Sequence, residues 1–347
     1  MTAAALSAIG AAALFGVSIP LAKWLGLADS PLYGTALLYG GAGLGLSLTI
    51  ALSRSREARL TRKDAPIMLA VVLLGGLCGP ILQLYGLART EGSTASLLLN
   101  LEVVFTMLVA VALFRDHIGR REALAAVLVI GGAGWLSWAT AGSGATSTSA
   151  IGAAAIAGSC LAWAVDNNLT QKLSARDPRA ITAVKGLGAG ACAALLAWQT
   201  KATAPPLKIV GIGLLLGAVS YGSSLVLYVR ALRGLGAART GALFATAPFV
   251  GAIVSFGLLR ERPGWVHLGA GGLMAAGVML LTIAGAAHAH EHEHDAFEHE
   301  HLHTHDEHHQ HAHAGTEGPE PHSHPHRHEP MRHAHPHVPD LHHRHRH

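Results

Sequence analysis

The chain has 347 residues, half of them apolar and only 13% charged, with a formal charge of +4. That mixture leaves too little charge to cover a water-soluble surface and excludes a nucleic-acid-binding module built on basic patches. The charge is also concentrated. From His288 onward the chain holds 23 of the 25 histidines, 11 of the 21 acids and four arginines, so residues 1–287 carry just 31 formal charges, 21 basic and 10 acidic.

A helix needs roughly 20 predominantly apolar residues to cross about 30 Å of hydrocarbon. Ten such runs follow in chain order: Ala3 to Leu21, Leu32 to Leu52, Pro66 to Ala88, Thr94 to Phe114, Ala123 to Ala141, Ala150 to Gln171, Ala180 to Gln199, Leu207 to Val229, Thr240 to Leu259 and Trp265 to Gly285. Runs such as Ile209 to Leu227 carry no charge on any face, which a soluble bundle would require. The first run has no basic segment before it and reads as a span rather than a signal peptide. Cys78, Cys160 and Cys192 fall inside spans, at no spacing that suggests a bridge or a ligand set.

Loop charge orients the spans. Alternate connections carry fourteen basic residues (Arg54, Arg56, Arg59, Arg62, Lys63, Arg115, Arg120, Arg121, Lys172, Arg176, Arg179, Arg230, Arg233, Arg239) against six (Lys23, Arg89, Lys201, Lys208, Arg260, Arg262). Both termini are therefore expected on the cytoplasmic side of a bacterial inner membrane. The hairpin with Arg260 and Arg262 fits this least well.

At an offset of 145 residues, Arg115-Asp116 falls on Arg260-Glu261 and Gly119 on Gly264, with nine identities between Gly92 and Leu136. Five spans, a polar stretch from Gly142 to Ser149 and five more spans form the pattern of a duplicated unit. An odd number of spans per copy makes the copies face opposite ways across the bilayer. The expected organisation is a first five-helix repeat at 1–141, a linker at 142–149, a second repeat at 150–287 and a tail at 288–347. The expected fold is an all-α integral membrane protein of ten transmembrane helices, with a disordered tail.

With these features the sequence resembles the drug/metabolite transporter superfamily, specifically its EamA-type branch. Thr94-Ala-Ser-Leu-Leu-Leu-Asn-Leu-Glu102 through Phe114-Arg-Asp116 looks like the fourth helix of one repeat. Ala238-Arg-Thr-Gly-Ala-Leu-Phe-Ala-Thr-Ala-Pro248 through Leu259-Arg-Glu261 looks like its partner. The resemblance covers nearly all of residues 1–287. It implies export or exchange of a small organic metabolite without ATP, and the chain has no phosphate-binding loop motif. One departure is Val103 where the second copy has Pro248, so a proline kink is expected in one half only.

Charges at membrane depth are costly and face a cavity or a partner. Asp166 and Lys185 lie at similar depth on antiparallel neighbours and are expected to pair, flanked by Asn167 and Asn168, as an inner gate, a substrate site or a purely structural link. Glu102 is a candidate carrier of a coupling proton, with a buried core residue as the plain alternative. Asn100 lies about 200° round the helix from it, so the two share one cavity only if the helix is locally irregular. Trp163, Tyr85, Tyr221 and Tyr228 are candidate walls for an organic solute. The glycines at 40–45 and 269–272 are expected to permit close helix packing.

In the tail, alternating His-X-His places ligands for Zn²⁺, Ni²⁺ or Cu²⁺ at His288, His290, His292, His294, His299, His301, His303, His305, His308, His309, His311 and His313. Three readings follow: a metabolite transporter needing no cofactor, with a bilayer, a solute and a coupling proton as its partners; a divalent-metal exporter fed by the tail; and a non-transporting scaffold or metal buffer. A pH-sensing or lipid-binding tail is a further chemical option. No catalytic motif points to an enzyme, and the sequence does not fix the oligomeric state.

Overall fold

The computed structural model describes residues 2–52, 57–114, 119–142 and 148–284, and in the tail 288–294, 297–303, 322–328 and 331–337. Arg54, Arg56, Arg115, Asp116 and His117, residues 143–147 of the linker, and His305, His308, His309, His311 and His313 lie outside the described residues.

Ten apolar helices are long enough to cross a membrane: α1 (Ala3–Trp24), α2 (Pro31–Leu52), α3 (Arg62–Leu87), α4 (Gly92–Ala112), α5 (Arg120–Thr140), α6 (Ala150–Leu173), α7 (Pro178–Gln199), α8 (Leu207–Gly236), α9 (Arg239–Leu258) and α10 (Trp265–Thr282). Capping residues set several of the starts. Thr2 Oγ1 accepts from Ala5 N ahead of α1, and Asp177 accepts from Arg179 N with Pro178 as the first residue of α7. Thr61 and Asp64 form a reciprocal capping box at the start of α3. Gly26, at φ 72°, provides the left-handed turn between α1 and α2. Gly236, at φ 70°, does the same between α8 and α9, so α8 runs past Val229 and the two helices meet at a kink.

Two structural irregularities recur in both halves. Wide π-type turns occupy Val72–Cys78 in α3 and Gly217–Gly222 in α8, starting 145 residues apart (217 minus 72), the offset at which the sequence superimposes on itself. In α4 the helix breaks at Leu99 and Asn100, and in α9 at Ala245 and Thr246. Both halves therefore break at this point, although a proline, Pro248 at the start of the segment after the break, occurs only in the second half, as expected. In α4 the Asn100 side chain replaces proline, its Nδ2 donating to Leu97 O at 3.0 Å in competition with the helix ladder.

Packing follows the same two-fold plan. Helix α1 lies against α8 and α9, as α6 lies against α3 and α4, while α2 pairs with α7, α4 with α9 and α5 with α10. The fold is thus two inverted five-helix repeats. Glycines bring α2 and α7 together as expected: a methyl group on Gly186 would stand 2.6 Å from Tyr39 O and from Gly43 N. Polar groups turn inward and large apolar ones outward. Ser18, Thr35, Asp166 and Lys185 are buried, whereas Trp138, Leu207 and Trp265 are about four-fifths exposed or more, as suits a surface solvated by lipid.

In the tail, β1 (His288–His294) pairs antiparallel with β4 (Met331–His337), and β2 (Phe297–His303) with β3 (His322–His328). Among the described residues the tail adds no helix to the bundle, and four of its runs have paired backbone. Their period-two pattern suits an extended strand.

Candidate functional site

Near the middle of the bundle, α1, α2, α4, α6, α7, α8 and α9 surround a cavity of about 40 Å³ lined by Phe15, Tyr39, Glu102, Trp163, Asp166, Asn167, Lys185, Tyr221, Ser224, Leu225, Tyr228 and Phe244. A smaller hollow of about 10 Å³ adjoins it and shares Phe15, Glu102 and Phe244.

Asp166 and Lys185 do meet. Lys185 Nζ donates to Asp166 Oδ2 at 2.5 Å, and Thr170 Oγ1 donates to the other carboxylate oxygen at 3.3 Å. Both charged side chains are about 95% buried, so the pair is a sealed unit in the cavity wall. Helix α3 makes room for it. A methyl group on Gly75 would stand 2.5 Å from Asp166 Oδ1, and one on Gly79 would stand 2.8 Å from Trp163 Cδ1. The π-type turn also leaves Gly75 O free of the regular ladder, and Tyr39 Oη and Trp163 Nε1 each donate to it at 2.9 Å. A single carbonyl therefore orients two of the cavity's rings.

Glu102 is held differently. The break at Leu99 and Asn100 makes it the second residue of a new helical segment, Leu101–Phe114, whose N-terminal end favours negative charge. Asn167 Nδ2 donates to Glu102 Oε1 at 2.8 Å and lies 3.4 Å from Thr106 Oγ1. Unlike Asp166, Glu102 is only half-buried and faces the cavity.

Aromatic rings form the rest of the wall. Phe15 sits edge-on to Trp163 at 5.7 Å and to Tyr221 at 5.6 Å, and lies 5.4 Å from Phe244. Tyr228 meets Phe244 at 4.9 Å. Tyr221 Oη donates to Gln83 Oε1 at 3.3 Å, while the buried Tyr228 Oη has no protein partner.

Three sequence candidates lie elsewhere. Asn100 turns toward Met274, 3.7 Å from its sulfur, so the local irregularity exists but does not bring this side chain beside Glu102. Asn168 fastens α6 to α4 by donating to Thr106 O at 3.1 Å, and it also donates to Ala164 O of its own helix at 2.9 Å. Tyr85 lies under the Arg89 guanidinium, 3.4 Å from the ring centre, outside the cavity. Conversely, the sequence reading missed Phe15, Tyr39, Phe244 and the Gly75/Gly79/Gln83 stripe. The spacing of that stripe, four residues each time, was the available signal.

Polar clusters lie toward both ends of the bundle, on either side of the cavity. At the end where α1 begins and α10 finishes, Arg176 pairs with Asp64 at 3.1 Å and Arg233 with Glu57 at 3.0 Å. Arg233 also donates to Ser174 O at 2.8 Å and Arg176 O at 3.0 Å. At the far end, Glu261 accepts from Gly92 N at 2.6 Å and Ser93 N at 2.8 Å, capping α4. His267 Nε2 lies 3.1 Å from Thr94 Oγ1 and 3.5 Å from Glu91 Oε2, and Lys23 donates to Leu87 O and Thr90 O.

Known proteins share this fold. The model of the EamA-like transporter family matches the chain twice, over residues 2–138 and 150–283. The chain belongs to that family. A protein described as an uncharacterized transporter, from Methanothermobacter thermautotrophicus, is 32% identical over 294 residues, which cover 80% of this chain and 85% of that protein. A crystal structure described only as that of a protein superposes with a TM-score of 0.62 at 18% identity, covering 82% of this chain and 97% of that one, a likeness of fold. This EamA-type chain is therefore a membrane transporter, and its two family matches lie either side of the polar stretch between α5 and α6.

Proposed function

We propose that the protein is a secondary transporter exporting or exchanging a small organic metabolite by alternating access through the central cavity, with Glu102 carrying a coupling proton. The observation that carries this reading is the cavity itself. It lies between inverted repeats, holds a half-buried carboxylate beside a sealed ion pair, and is flanked by polar clusters toward both ends of the bundle. Inverted-repeat transporters bind solute near the midplane and rock their halves about it. A volume of about 40 Å³ has room for roughly three waters. An organic solute therefore needs the ring walls to part, as a change of access provides.

The excess of basic residues in the connections at the terminal end supports a cytoplasmic address for both termini in a bacterial inner membrane. Asp166 and Lys185 are proposed to set the geometry of the solute path, with Asn167 linking that pair's helix to Glu102.

A second role concerns the tail. Its backbone register sets histidine opposite histidine at His288 and His337, His290 and His335, His292 and His333, and again at His299 and His326, His301 and His324, His303 and His322. That supports reading the tail as a cytoplasmic binder of Zn²⁺, Ni²⁺ or Cu²⁺, either an accessory or the collector of a metal exporter. Flux measured in proteoliposomes with and without Zn²⁺, for the full chain and a chain ending at Ala287, separates the cases. Metabolite flux indifferent to metal and to truncation supports the leading reading. Metal flux that survives truncation supports the exporter. No flux of any solute overturns both.

A further inference from the structure

We propose that the transported solute is a small organic cation, an amine on a largely apolar body, whose charged nitrogen rests against Glu102 and the rings of Phe15, Tyr228 and Phe244. The inference deepens the reading of the cavity as the solute path and rests on it.

Charge gives the first argument. The ionisable groups of the lining other than the tyrosines are Asp166, Lys185 and Glu102, which sum formally to −1 when ionised (one positive, two negative). Lys185 is engaged by Asp166 at 2.5 Å and buried, so the cavity offers no accessible cation to an anionic solute. Its accessible charge is Glu102, whose bonded partner, Asn167, is a neutral amide. An anion entering here meets like charge without compensation, whereas a cation supplies the partner that the carboxylate lacks.

The walls give the second. Phe15, Phe244 and Tyr228 form a continuous ring surface beside Glu102, at centroid separations of 5.4 Å and 4.9 Å. Ring faces attract a weakly hydrated ammonium through their quadrupole, and more strongly where water is excluded. Tyr228 Oη, buried and without a protein partner, is an oxygen available to an N–H donor. A transition-metal ion needs several nitrogen, sulfur or carboxylate ligands at once, and this wall is mostly hydrocarbon. An organic amine uses the carboxylate, the free hydroxyl and the rings together.

Three probes of one shape separate the possibilities: phenethylammonium, 2-phenylethanol and phenylacetate, titrated by calorimetry into the purified full chain. The ammonium is expected to bind saturably and at least tenfold more tightly than the alcohol, with no saturable binding of the acid. Glu102→Gln is expected to weaken the ammonium at least tenfold and leave the alcohol unchanged. Phe244→Leu, which removes a ring and keeps an apolar wall, is expected to weaken the ammonium without moving the melting temperature by more than a few degrees. Tighter binding of acid or alcohol overturns the cation assignment, as does ammonium binding indifferent to both substitutions. Should none of the three bind while another solute is still carried into proteoliposomes, the cation falls and the solute path stands. Loss of all saturable uptake overturns the path itself.

Discussion

Lys185 and Asp166 join α7 to α6 at 2.5 Å with both charges sealed from solvent, while the neighbouring Asn167 turns the other way to reach Glu102 at 2.8 Å. One helical segment of α6 thus serves two carboxylates of opposite status, one neutralised within the protein and one left facing the cavity. The difference dictates different consequences for mutation.

Removing one member of the sealed pair leaves a buried charge with no partner, a loss of about 3–5 kcal/mol. Lys185→Met and Asp166→Asn are each expected to lower the melting temperature in detergent sharply. The double variant is expected to recover most of the loss, because nothing charged remains in the wall. Equal destabilisation by the single and double variants would show that the pair does not act as a unit.

Glycines of α3 control the same region from behind. Gly75→Ala places a methyl group 2.5 Å from Asp166 Oδ1, and Gly79→Ala one 2.8 Å from Trp163 Cδ1, so the neighbour must move in both cases. Overpacking of this kind typically destabilises by about 1–3 kcal/mol. Gly131→Ala in α5 serves as the control, since an added methyl group there meets no atom within 4 Å. It is expected to be neutral or stabilising by up to about 1 kcal/mol through helix propensity. Melting curves of the three variants check the contrast.

How far the sequence revealed this arrangement depends on the kind of signal. Ten spans and a duplicated plan were legible because hydrocarbon demands long apolar runs and duplication leaves a constant offset. Asp166 and Lys185 were legible because charge in a span is rare, and equal depth on adjacent helices restricts the partners. Phe15 and Phe244 were not, since an apolar ring in an apolar helix carries no mark of whether it faces lipid or cavity. Tyr85 misled for the related reason that a tyrosine suits a helix end as well as a pocket. The break at Asn100 was hidden behind the search for proline, because a single asparagine that competes for a backbone carbonyl looks like any polar residue in a span.

The paired backbone of the tail makes its proposed metal affinity a matter of register. With histidine opposite histidine at alternate positions, a metal ion is expected to bind the full chain and not the chain ending at Ala287. Equilibrium dialysis with Zn²⁺ measures the difference, and equal melting temperatures of the two metal-free chains would show that the bundle does not rely on the tail. Equal Zn²⁺ uptake by both would move the metal site into residues 1–287.

Glu261 fastens the start of α4 at the far end of the bundle, and the bond is the clearest test of how the proposed pathway would be closed there. Its two carboxylate oxygens accept from Gly92 N and Ser93 N, and its neighbour His267 reaches Thr94 on the same turn. Glu261→Ala removes both acceptors and leaves two N–H groups at the head of α4 without them, which favours separation of α4 from the α9–α10 connection. With Cys78, Cys160 and Cys192 replaced by serine or alanine and a cysteine placed at Ser93, a membrane-impermeant thiol reagent added outside intact cells is expected to label the Glu261→Ala background several-fold faster than the parent. Glu261→Gln, which keeps one oxygen acceptor, should fall between the two. Equal labelling in all three backgrounds would remove Glu261 from the closure. Labelling only after the cells are opened would place this end inside and reverse the orientation drawn from the basic residues of the opposite connections.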